Sequence, residues 1–100
     1  MTIRMEDRVR RAEHQVSSKL GEEIAILNLK SSLYFGLENT GAVIWEAISQ
    51  PKQVAEICEA VTSQFDVSEE RCQLDVIQLL EELAKAELIV IESYEASSLP

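Results

Sequence analysis

Loose alternation of apolar and polar residues in the first third of the chain predicts β-strands. Three segments, residues 14–20, 23–29 and 33–37, contain β-branched and aromatic residues in this pattern. The breaks between them, Leu20-Gly21-Glu22 and Lys30-Ser31-Ser32, are short enough to be hairpin loops. We therefore predict a three-stranded antiparallel sheet with the middle segment as its central strand.

After Leu37 the apolar residues recur at helical spacing. The pattern predicts a first helix over about 41–49 and a second helix with Pro51 in its first turn. Ser68 is a good N-cap, so a long third helix should run from there to about residue 87. Residues 88–91 are suited to a short closing strand. The expected fold is α+β and winged helix-turn-helix-like, with a three-stranded antiparallel sheet followed by three helices.

The chain of 100 residues has the length of one domain, and 46% hydrophobic with 27% charged residues is an ordinary globular composition. We expect a flexible N-terminal arm over 1–12, a folded domain over 13–91 and a flexible tail over 92–100. No membrane-crossing run or signal peptide is visible, so no membrane partner is expected. Cys58 and Cys72 fall on apolar helix positions, which is typical of buried thiols in a reducing compartment. The predicted location is therefore cytoplasmic.

The net charge of −9 is unevenly distributed, because the first eleven residues contain four Arg against Glu6 and Asp7. The rest of the chain is strongly acidic and repels a phosphate backbone, so we predict no nucleic-acid partner. An acidic surface is also a common means of keeping a small protein soluble. The charge therefore excludes a class of ligand without identifying one.

Catalytic and cofactor motifs are missing from the sequence. The single histidine, His14, lies far along the chain from Cys58 and Cys72, so neither a nucleophilic triad nor a zinc motif is formed. Three glycines do not make a phosphate-binding loop. We predict a protein that is not an enzyme and that has no metal or cofactor.

Residues 33–37 should form an edge strand, whose unpaired backbone groups can accept an added peptide strand. By parity Leu33, Phe35 and Leu37 share one face, which is ordinarily sheet core. Tyr34 and Gly36 share the other face and are better candidates for ligand contact.

The third helix has an apolar arc that covers roughly half its circumference. The arc consists of Cys72, Val76, Ile77, Leu79, Leu80, Leu83 and Ala84. Such a width is explained either by central packing or by a groove that a partner occupies. Asp75 borders the arc, where its carboxylate could accept a hydrogen bond from a ligand or simply face water.

Several short segments, in this order and spacing, resemble the PqqD-like family, the recognition elements of ribosomally made, post-translationally modified peptides. They are Leu27-Asn28, Tyr34-Phe35-Gly36-Leu37, Asn39-Thr40-Gly41, Ile44-Trp45, Val54-Ala55-Glu56-Ile57, Phe65-Asp66-Val67, Asp75-Val76, Leu79, Leu83 and Leu88-Ile89. The resemblance covers about residues 14–91. It implies three strands followed by three helices and no catalytic activity.

The resemblance also implies a binding site. A precursor's leader peptide would add as a strand beside the third strand and lie against the third helix. The implied peptide-binding residues are Leu33, Tyr34, Phe35, Gly36, Leu37, Cys72, Asp75, Val76, Leu79, Glu82 and Leu83. Gln53 departs from the family pattern, which commonly has Ser or Thr as the cap of the second helix; Pro51 would compensate by starting that helix earlier.

Within the family, a free-standing acidic chain of this length looks most like the version from lasso-peptide biosynthesis. That version works with a leader-cleaving cysteine protease. A partner of a radical S-adenosylmethionine enzyme is the close alternative. A winged-helix transcription regulator and an adaptor for folded proteins are further alternatives, although Arg71 and Lys85 are the only basic residues of the third helix.

Overall fold

The structure of the protein is a computed structural model that describes residues 3–93. Its elements, in chain order, are β1 (Arg8–Arg11), β2 (Gln15–Leu20), β3 (Glu23–Asn28), β4 (Tyr34–Leu37), α1 (Thr40–Ala47), β5 (Lys52–Gln53), α2 (Val54–Gln64), α3 (Glu69–Lys85) and β6 (Ile89–Glu92). These form an α+β fold with two three-stranded antiparallel sheets and three helices.

The predicted meander is present as the sheet β2-β3-β4, with β3 in the centre. Leu20 pairs with Glu23, so Gly21 and Glu22 alone make the first turn. Gly21 has φ of 66°, which suits the first central position of a type II′ hairpin turn. The pairing of Ile24 with Leu37 and of Ile26 with Phe35 brings the apolar residues of β3 and β4 together on one face.

A second sheet, in the order β5-β1-β6, was not expected from the sequence. β1 lies within residues 1–12, for which a flexible arm was predicted, yet Val9 is fully buried and Ile3 is only 6% exposed. The arm from residue 3 onward is therefore part of the folded body, because Val9 pairs with Ile91 of the closing strand. Residues 94–100, which make up most of the predicted tail, lie outside the described residues.

Local capping hydrogen bonds mark the starts of α2 and α3. The Ser68 side chain accepts a hydrogen bond of 3.2 Å from the Arg71 backbone N–H, which confirms Ser68 as the N-cap of α3. α2 begins later than predicted, since Pro51 lies outside the helix and Gln53 is its N-cap. The Gln53 backbone N–H donates to Glu56 Oε1 at 2.9 Å, as in a capping box.

One apolar core joins the sheets and the helices. Trp45, Ile26 and Leu80 are among its fully buried large side chains, and both cysteines are buried in it. Within residues 3–93, no helix has the length and apolar character that crossing a bilayer requires. Among residues 3–93, β2 and β4 are the outer strands of the first sheet and have their free edges at its opposite sides.

Candidate peptide-binding site

The β4 edge presents backbone groups that the sheet does not use. The Asn28 N–H donates to the Leu33 carbonyl at 2.9 Å, which sets the alternation of hydrogen-bonded pairs along β3 and β4. By that alternation Phe35 and Leu37 bond to β3, whereas the N–H and C=O groups of Tyr34 and Gly36 point away from it. These outward groups are those that an added strand would pair with.

The side chains of β4 alternate as predicted. Leu37 is buried and Phe35 is half-buried against the core, whereas Tyr34 is 72% exposed on the outer face opposite Leu27. Leu33, just before the strand, is 61% exposed. A Cβ on Gly36 would meet no atom within 4 Å, so this position has open space around it. The strand therefore offers both a free backbone edge and exposed apolar surface.

Gly41 brings the end of β4 close to α3. A Cβ built on Gly41 would lie 3.3 Å from Leu37 Cδ2 and 3.6 Å from Leu79 Cδ2. Both leucine side chains thus approach the same point on α1. The last residue of β4 and Leu79 of α3 are therefore close to each other at this point.

Asp75, Leu79 and Glu82 are spaced i, i+4 and i+7 and so share one flank of α3. Leu79 is half-buried against the core, and Glu82 is exposed. The Asp75 carboxylate is not vacant, because its Oδ2 lies 3.3 Å from Arg71 Nε. The sequence interpretation missed this pair, although its i, i+4 spacing was a visible signal.

The other predicted helical residues are placed behind this flank. Cys72, Val76 and Leu83 are at most 1% exposed and pack in the core. Their side chains are therefore not part of the exposed flank of α3. The helical period places these three residues in the same apolar arc as Leu79. Which part of the arc is covered depends on how α2 and β6 pack against α3.

β2, the other edge of the same sheet, carries a charge that β4 lacks. Lys19 lies opposite Ile24, on the core-facing side of β2, and its Nζ is 3.3 Å from Glu46 Oε1. Inward-facing charge on an edge strand opposes strand addition. The four residues of β4, Tyr-Phe-Gly-Leu, carry no charge. Of these two edges, β4 is therefore the better acceptor for a peptide strand.

The described residues form neither a metal-ligand cluster nor a reactive thiol site. Among residues 3–93, no group of three or more His, Cys, Asp or Glu side chains is placed to hold a metal ion. Burial raises the pKa of the Cys58 thiol to about 12, and burial likewise raises the pKa of Cys72. Both thiols are therefore protonated and poor nucleophiles at neutral pH.

Comparisons with known proteins agree with this geometry. Residues 23–89 match the family model of coenzyme PQQ synthesis protein D (PqqD). The fold is similar to a solved structure of TbiB1 in complex with the TbiA(beta) leader peptide. That comparison has a TM-score of 0.76 and 29% sequence identity, and it covers 80% of this chain and 93% of the other. No curated protein matches the chain. Because the family model spans most of its length, the chain belongs to the PqqD family.

Proposed function

We propose that the protein captures the leader segment of a ribosomally made precursor peptide as an added β-strand along β4. The observation that carries this proposal is the open, uncharged β4 edge beside Leu79 of α3. Family membership and the leader-bound TbiB1 complex support it. The peptide backbone would pair with the outward N–H and C=O groups of Tyr34 and Gly36.

The alternation of an added strand divides its side chains between two surfaces. One set would lie toward Leu79 and the half-buried Phe35, and the other beside the exposed Tyr34. Asp75 and Glu82 supply carboxylates along the same flank of α3. The proposed contact surface is thus Leu33, Tyr34, Phe35, Gly36, Leu37, Asp75, Leu79 and Glu82, with Cys72, Val76 and Leu83 supporting it from the core.

The proposed role is delivery without catalysis. A bound leader raises the effective concentration of its attached core peptide near a processing enzyme. The resemblance to the lasso-peptide member favours a leader-cleaving cysteine protease as that enzyme, in the cytoplasm. The similarity to leader-bound TbiB1 supports the binding step alone. In this proposal, a winged-helix-like arrangement would serve as a platform for the peptide. DNA reading is disfavoured, because Glu69, Glu70 and Glu82 are exposed along α3.

Two substitutions at Gly36 test backbone pairing at β4. Gly36→Pro removes an outward N–H that the sheet does not use, so the domain should fold while leader binding falls at least tenfold. Gly36→Ala keeps the N–H and adds a Cβ to open space, so it should bind like the unmodified protein. The measurement is fluorescence anisotropy with a synthetic leader of the precursor encoded beside the protein. Equal affinities for two folded variants would contradict strand addition.

A further inference from the structure

A cavity of about 260 Å³ lies away from β4, under the free edge of β2. Arg11, Ser17, Lys19, Trp45 and Glu46 line it. Ser17 and Lys19 come from the core-facing side of β2, and Trp45 and Glu46 come from α1. Most of these side chains are hydrogen-bond donors, which makes the cavity unusual in so acidic a protein.

Arg11 and Trp45, which both line this cavity, are also in contact with each other. The Arg11 guanidinium carbon lies 4.5 Å from the centroid of the Trp45 ring, and Arg11 Nη2 donates to the Trp45 carbonyl at 2.7 Å. Among residues 3–93, neither Arg11 Nε nor Trp45 Nε1 has a hydrogen-bond partner. Buried donors are normally hydrogen-bonded, so these two N–H groups are candidates to donate to an incoming acceptor.

The charges around the cavity are also unbalanced. Lys19 Nζ lies 3.3 Å from Glu46 Oε1, and the same carboxylate is the acidic neighbour of Arg11. Burial lowers the pKa of Arg11, and the attraction of Glu46 opposes that shift. Two cations thus share one carboxylate in a chain whose net charge is −9. A second negative group would complete the cluster.

We propose that this cavity binds a carboxylate group. Both donor atoms are buried in the free protein, with Arg11 lying over the Trp45 ring. The carboxylate would pass Ser17 and Lys19 and accept hydrogen bonds from Arg11 Nε and Trp45 Nε1 once the Arg11 side chain moves off that ring. Its source is either a free carboxylic acid or an acidic side chain of a partner protein. The site is separate from the β4 edge, so the test of this proposal does not depend on whether a leader binds at β4.

The single tryptophan makes the test direct, because the indole N–H gives one resonance. Isotope-labelled protein is titrated with sodium acetate, and in parallel with sodium chloride at matched pH and ionic strength. The proposal predicts saturable shifts of the Trp45 indole and Arg11 Nε–H signals with acetate alone. No shift, or the same shift with chloride, overturns it and leaves a cavity filled by water only.

Variants and a second probe sharpen the result. Arg11→Gln should weaken acetate binding at least tenfold, whereas Arg10→Gln, whose parent side chain pairs with Glu92 at 3.9 Å, should not change it. The acetate titration of the unmodified protein remains decisive if Arg11→Gln unfolds. N-acetylglutamate amide binding ten times more tightly than acetate would indicate an acidic side chain as the source. Comparable affinities for these two probes would indicate a free acid, and either outcome supports the carboxylate site.

Discussion

Arg71 Nε lies 3.3 Å from Oδ2 of Asp75, which is one turn further along α3. Arg71 thus pairs with the carboxylate that faces the proposed leader groove. The side chains are 71% and 43% exposed, so the pair stabilises the fold by no more than about 0.5 kcal/mol. A leader group that hydrogen-bonds to Asp75 must therefore displace Arg71 or share the carboxylate with it.

Substitution of either partner separates binding from stability. Asp75→Ala should weaken leader binding by about 1 kcal/mol, roughly fivefold, because one ligand hydrogen bond is lost. Arg71→Gln should leave binding unchanged or strengthen it, because the carboxylate is released. Peptide titration and urea unfolding of both variants provide the measurements. Equal losses of affinity in the two variants would mean that the pair itself, not Asp75, supports the site.

Leu79 and Leu83 lie one turn apart and should respond differently to truncation. Leu83 is fully buried, so Leu83→Ala should reduce the free energy of unfolding by about 2–5 kcal/mol. Leu79→Ala removes a half-buried side chain, so its stability loss should be smaller while its leader affinity falls several-fold. Denaturant melts and peptide titrations compare the two. A stable Leu79 variant with full affinity would remove Leu79 from the site.

The raised pKa of the buried Cys58 thiol predicts that the protein loses stability at alkaline pH. Burial raises the pKa of Cys58 from 9.0 to about 12 in the folded protein, so the folded state holds the thiol proton more tightly than the unfolded state. The contribution to stability is complete below about pH 9 and is lost as pH rises toward 12. Urea melts at several pH values check this. In a second measurement, a thiol reagent should label native protein at pH 8 far more slowly than unfolded protein.

The N-cap of α3 should make a measurable contribution to stability. Ser68→Ala removes the hydrogen bond from the Arg71 N–H and should cost about 1 kcal/mol. Ser63→Ala is the matched control, since its hydroxyl donates to the Ala60 carbonyl within α2 and caps no N–H. Its effect should remain within about 0.5 kcal/mol. Similar losses in the two variants would contradict the capping assignment.

The sequence correctly predicted the features whose stabilising contacts lie within a few residues of each other. The Gly21 hairpin and the Ser68 cap are both specified within a few residues, and the structure has both. β1 was missed because Arg8–Arg11 contains one apolar residue, Val9. Its strand character comes from pairing with Ile89–Glu92, some 80 residues away in sequence. No local pattern reports such a partner.

The candidate site was predictable on its strand side and less so on its helix side. Parity along β4 correctly separated Tyr34 from Phe35, because strand alternation allows only two faces. The period of α3 did not distinguish Leu79 at the flank from Val76 in the core. That distinction depends on how α2 and β6 pack against α3, which is a property of tertiary packing.

Amide hydrogen exchange with and without the leader tests the central claim most directly. In the free protein the outward N–H groups of Tyr34 and Gly36 should exchange rapidly, because the sheet does not use them. Saturating leader should slow exchange at these two amides and leave the outward amides of β2, at Ser17 and Lys19, unchanged. Protection confined to β2, or no new protection at β4 under saturating leader, would contradict strand addition at this edge.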